Sequence, residues 1–263
     1  MKTRNLARRL QHGFSLIEMM LVVAIMGVIS AGILSQMNEA QQRGYSEQVK
    51  LDNFQEARDF VDQFFRDINQ IGYPSSRLID TNPLTTNWVP LLTQQTTYTW
   101  ASPYIFDDRV AMGFVSIDAN AVQFEGDMMG NGVVQSIIYK INGSGSCLLC
   151  LQRSQVDKIS ADPLIGQTTN WGTEVNDVIT SPIFTYFQAD GTQIPNASLP
   201  LDISTSAGAQ TLASIKTIKI SLTIRNNSII DRKTSQAIET NLEGEVSINN
   251  CSMATTGRPE SCQ

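Results

Sequence analysis

The sequence predicts an α+β chain in which one long N-terminal helix, first transmembrane and then amphipathic, packs on an antiparallel β-sheet domain. Three observations carry this. From Phe14 to Ser35 the chain runs through 22 residues with a single charge. From Leu51 to Ile71 apolar residues recur at helical spacing. From Ile218 to Arg225 apolar and polar residues alternate strictly.

The apolar run comes first. As a helix rising about 1.5 Å per residue it reaches about 33 Å, the thickness of a bilayer core. Arg8 and Arg9 before it place the N-terminus on the cytoplasmic side. A cleaved signal peptide, with Ser30-Ala31-Gly32 as its site, and a plain membrane anchor are the two simple readings. Neither accounts for Glu18. A carboxylate in the apolar region costs roughly 2.5–3.5 kcal/mol to insert, so it needs a partner. A cut between Gly13 and Phe14 supplies one, because it exposes an α-amine on Phe14, four residues before Glu18. On one helix the two groups lie about a turn apart and both point outward. The amine of a neighbouring subunit is better placed. At about 4 Å and an effective dielectric near 20 the pair gains about 4 kcal/mol. Glu18 is then tolerable in an assembly and costly in a lone subunit, which favours polymerisation.

The helical pattern continues past the membrane. Leu51, Phe54, Arg58, Val61, Phe65 and Ile68 form a stripe that Ala57, Phe64 and Ile71 widen. Glu47, Lys50, Asp52, Glu56, Asp59, Asp62, Arg66 and Asp67 read as the solvated face. The aromatic residues of the stripe read as core packing. In "IGYPSS", Gly72 suits the left-handed position after a helix and Pro74 cannot continue one. Counted from Phe14 the helix runs about 58 residues, about 87 Å. Gly44 loosens the junction between its halves.

Residues 75–100, rich in Thr, Asn and Pro, read as a connecting loop. Strands are expected at 110–117, 121–125, 133–141, 147–153, 182–188, 215–225 and 237–248, with a hairpin at "KINGSGSCL". Ile218, Ile220, Leu222 and Ile224 mark one buried face, which the helix stripe can cover.

Charge and composition exclude several functions. The net charge is −6, with +4 in residues 1–13 and −10 in the remainder. An acidic body argues against nucleic acid as a partner. The single histidine, His12, lies in the basic segment, so cleavage after Gly13 leaves no histidine for Ser-His, Cys-His or His-metal chemistry. No P-loop, dinucleotide fingerprint or nucleophile elbow is present, and no enzyme activity, cofactor or metal is expected. "EGDMMGNG" lacks the ligand alternation of a calcium loop and reads as a turn. Cys147, Cys150, Cys251 and Cys262 suit disulfides in an exported chain better than a zinc site, which lacks a second C-x-x-C. Three connectivities are open, with 147–150 and 251–262 preferred. The first requires the chain to turn at "CLLC", since three extended residues span about 10 Å.

"GFSLIE" followed by about twenty apolar residues resembles the type IV prepilin signature. The resemblance implies a pilin fold, leader cleavage after Gly13 by a prepilin peptidase, N-methylation of Phe14, and docking of subunits through Glu18. Many major pilins carry a proline partway along this helix; here no proline precedes Pro74. "ARDFVDQFFRDINQIGYP", "VQFEGDMMGNGVVQSIIYKI" and "IFTYFQADGTQI" are similar to stretches of PilW-type minor pilins and of the related J-type pseudopilins of type II secretion. The expected organisation is a leader at 1–13, a membrane and filament-core helix at 14–38, an amphipathic helix at 39–73 and a β-rich domain at 74–263. The function implied is a minor pilin acting in assembly, priming or at the tip of a type IV pilus. Its expected partners are other pilins, the prepilin peptidase and methylase, and inner-membrane lipid before assembly. The chain is then expected first in the inner membrane with a periplasmic domain, later in an extracellular pilus. A type II secretion pseudopilin is the nearest alternative, and a membrane-anchored ligand-binding module is one of another class.

Overall fold

The computed structural model describes residues 15–74, 105–143, 149–231 and 236–248. The chain forms two compact units, Met1–Val49 and Lys50–Gln263. In the first, helix α1 (Leu16–Asn69) begins immediately after Ser15, whose carbonyl accepts the N–H groups of Glu18 and Met19. Residues 15–45 are exposed throughout. An 18-residue window reaches a mean hydropathy of 2.4 with none of it buried, so the stretch is long and apolar enough to cross a membrane. Beyond it Glu39 and Arg43 pair at i, i+4.

The second unit holds the rest of α1, two antiparallel sheets and a short helix. Its strands are β1 (Phe114–Ile117), β2 (Ala121–Gly126), β3 (Gln135–Asn142), β4 (Cys150–Asp157), β5 (Trp171–Val175), β6 (Phe184–Gln188), β7 (Leu201–Asp202), β8 (Ile215–Asp231) and β9 (Gln236–Ser247). One sheet has the order β5-β4-β3-β2-β1-β7 and the other β6-β8-β9. Helix α2 (Ser206–Ser214) leads into β8, and Thr205 caps it by accepting the Gly208 N–H at 3.0 Å. β1 to β5 pair in sequence, as do β8 and β9, whereas β7 returns to β1 and β6 pairs with β8. The expected hairpin is β3–β4, in register from Gln135↔Asp157 to Asn142↔Cys150.

The helix covers both sheets with one aromatic cluster. Phe64 lies 5.2 Å from Tyr139 on β3 and 5.4 Å from Phe184 on β6, between ring centroids. Phe60 meets Tyr139 edge-on at 5.7 Å. Ile218, Ile220, Leu222 and Ile224 of β8 are all buried, as their alternation predicts.

The helix stripe differs from its sequence reading. Leu51 is 63% exposed and Phe54 42% exposed, while Asn53, Phe60 and Asp67 are buried. Ala57, Val61, Phe64, Ile68 and Ile71 of the expected stripe are buried, and Phe60 joins them because its ring meets Tyr139. Gly72 does adopt a left-handed φ of +72°, yet it does not cap the helix. Its N–H donates to the Glu125 carbonyl at 2.8 Å, and Ile71 bridges Gly126, so the turn joins the helix end to β2.

Strand limits shift as well. Residues 110–113 form no strand, and β4 lies three to four residues later than expected. The first is buried irregular chain: Val110, Ala111 and Met112 sit in the core without a ladder. The second follows from Leu149, whose φ of +62° breaks the extended path before Cys150. β5, β7 and α2 were not expected, being short or rich in Ser, Ala and Gly. The loop expected at 75–100 lies outside the described residues.

Candidate functional site

Glu18 stands in the first turn of α1, where its charge suits the helix dipole. It is exposed, as are Leu16, Ile17, Met19, Met20 and Leu21 around it. Among the described residues it has no ionic partner. A carboxylate among exposed apolar side chains is costly wherever that helix is taken out of water. Gly13 and Phe14 lie outside the described residues. Residues 8–34, which contain all three positions, match the family model described as the prokaryotic N-terminal methylation motif. The chain carries a type IV pilin or pseudopilin signal. No curated protein and no solved structure matches the chain. The pilin-type signal and the long helix packed on an antiparallel sheet agree with one another, and with a structural subunit anchored through that helix.

The second unit holds charged side chains locked under the helix. Tyr139 Oη donates to Asp67 Oδ2 at 2.6 Å, and Arg153 Nε donates to the same oxygen at 2.8 Å. Gln63 Nε2 donates to Asp67 Oδ1 at 2.8 Å. Arg153 Nη2 is also 2.7 Å from Asp67 Oδ2, without hydrogen-bond alignment. Burial, and then the Asp67 charge, push the Tyr139 hydroxyl far above the ordinary tyrosine range. Burial works against the Arg153 charge, but Tyr139 and Asp67 outweigh it and hold the guanidinium firmly protonated. Beside this network runs a groove of about 420 Å³ lined by Glu56, Asp59, Phe60, Gln63, Arg66, Arg153 and Glu174. Glu56 Oε1 accepts from the Asn176 N–H and its side-chain amide, tying the helix to the segment after β5.

Sequence reading placed Asp67 on the solvated face and did not single out Tyr139 or Arg153. Asp67 belongs to the "ARDFVDQFFRDINQIGYP" stretch, but a helical wheel alone does not tell a buried acid from an exposed one. The pattern needed its partners on β3 and β4, 72 and 86 residues away.

"EGDMMGNG" folds as a turn. Asp127 accepts the N–H groups of Asn131 and Gly132 at 3.1 and 2.6 Å, so its oxygens are occupied by backbone. Among the described residues no group of three or more His, Cys, Asp or Glu side chains is placed to hold a metal. Cys150 is buried and is not a free thiol. Cys147, Cys251 and Cys262 lie outside the described residues.

Proposed function

We propose that this chain is a minor pilin of a type IV pilus, incorporated after its leader is removed between Gly13 and Phe14 and the Phe14 amine is methylated. The observation that carries the reading is the methylation motif at residues 8–34 leading into an exposed apolar helix whose first-turn carboxylate, Glu18, has no ionic partner among the described residues. In this reading the helix waits in the inner membrane with the second unit in the periplasm, and then leaves lipid for the filament. Glu18 accepts the Phe14 amine of a neighbouring subunit, which offsets the cost of placing a carboxylate at that depth. The size of the β domain favours a subunit present in few copies, in priming or at the tip.

The mature N-terminus tests the processing. Mass spectrometry of the chain from its native membrane should find a methylated Phe14 as the first residue. A start near Ile33 would end the pilin reading. Recovery in sheared pili, against recovery only with a secretion complex, separates a pilin from a pseudopilin.

We further propose that Cys147 pairs with Cys150 and Cys251 with Cys262. The left-handed Leu149 supports the first pair, since it supplies the turn that such a pairing requires.

A further inference from the structure

Glu125 and Lys158 form an ion pair in which both side chains are 0% exposed. Glu125 lies on β2, and Lys158 immediately follows β4. Lys158 Nζ donates to Glu125 Oε2 at 2.7 Å and to the Val110 carbonyl at 2.9 Å. The Met112 N–H donates to the same Oε2 at 3.0 Å. Glu125 Oε1 is buried without a hydrogen-bond partner among the described residues. The backbone of Glu125 is held on both sides, by the Gly113 carbonyl and by the Gly72 N–H.

Two full charges out of water, one of them with an unsatisfied oxygen, make an expensive arrangement. An amide between the same two side chains fits the site better. It needs one acceptor for its N–H, and the Val110 carbonyl is there. It needs one donor for its carbonyl, and the Met112 N–H is there. The atom left over is Oε1, the one without a partner. Nearby Asp107 does not compete, because both its oxygens are occupied by Arg109.

We infer that Lys158 and Glu125 condense to an intramolecular isopeptide bond. A proton passes from the ammonium to Oε1 of the carboxylate, which leaves a neutral amine beside a neutral acid. The freed amine lone pair forms the Nζ–Cδ bond. Negative charge developing on Oε2 is met by the Met112 N–H. The Cδ–Oε1 bond breaks, and Oε1 leaves as water with two of the three protons that began on Nζ. The third stays on the amide nitrogen, so no oxidant, cofactor or second substrate is needed. The product ties β2 to the end of β4 across the intervening strand β3, independently of any role in a filament.

The test is a tryptic map of the full chain, reduced, alkylated and purified from membranes. Trypsin does not cut after an acylated lysine. The expected result is one branched species joining residues 110–140 to residues 154–216 through an uncut Lys158, lighter than the two fragments together by one water, about 18 Da. Fragmentation should place the branch between Glu125 and Lys158. Recovery of residues 110–140, 154–158 and 159–216 as separate peptides overturns the inference. In Lys158→Arg the two fragments should separate; a joined species that persists there assigns the link elsewhere and overturns it as well.

Discussion

The Tyr139 hydroxyl lies 2.6 Å from Asp67 Oδ2, so a strand of the sheet holds a carboxylate of the helix from below. Arg153 shares that carboxylate from the next strand. Removing Asp67 leaves the Arg153 charge largely buried and unpaired. Asp67→Ala is expected to destabilise the second unit by about 3–5 kcal/mol. Tyr139→Phe, which removes one hydrogen bond and leaves the ion pair, should cost about 1–3 kcal/mol. Urea denaturation of a fragment lacking residues 1–39 measures both, and equal losses would contradict the ranking.

Alkaline stability follows from the same hydroxyl. Tyr139 titrates higher folded than unfolded, so its contribution is fully present below the ordinary tyrosine value of 10.0 and is lost as pH rises above it. Fully buried Tyr186 acts in the same direction. Unfolding free energy should fall from about pH 10 upward. Tyr139→Phe should flatten that fall. An unchanged slope in the variant assigns the alkaline loss to other groups.

Glu18 is expected to matter for assembly and not for folding of the second unit. Glu18→Ala should leave the membrane-bound chain present and its second unit as stable as the parent. Loss of a pair worth a few kcal/mol predicts roughly a hundredfold lower incorporation into fibres. Quantitative blotting of sheared fibres against membranes measures the ratio. Parental incorporation of the variant removes the docking role.

Gly126 faces the end of the helix. A Cβ there would collide with the Gln70 carbonyl and the Met128 methyl. Gly126→Ala should therefore destabilise by about 1–3 kcal/mol. At Gly143 a Cβ meets nothing within 4 Å among the described residues, so Gly143→Ala serves as the control and should change little. Thermal denaturation of the two variants side by side checks the difference.

A non-reducing peptide map should recover Cys147 with Cys150 and Cys251 with Cys262. Cys262→Ser should then loosen the C-terminal end, at a cost of about 2–3 kcal/mol. A peptide joining Cys150 to Cys251 or Cys262 excludes the proposed pairing.

The sequence by itself determined what depends on neighbours along the chain. The apolar run with its single carboxylate, the alternation of Ile218 to Ile224, the β3–β4 hairpin and the left-handed Gly72 are all local patterns, and each appears in the structure. Only the tertiary structure decided which helix face is buried, why Leu51 and Phe54 stay exposed, and why Asp67, Glu125 and Lys158 are not. A side chain's preference for water or core is local, but whether a buried charge is tolerable depends on a partner. The partners of Asp67 and Glu125 arrive from strands and turns far along the chain, and spacing along one element carries no record of them.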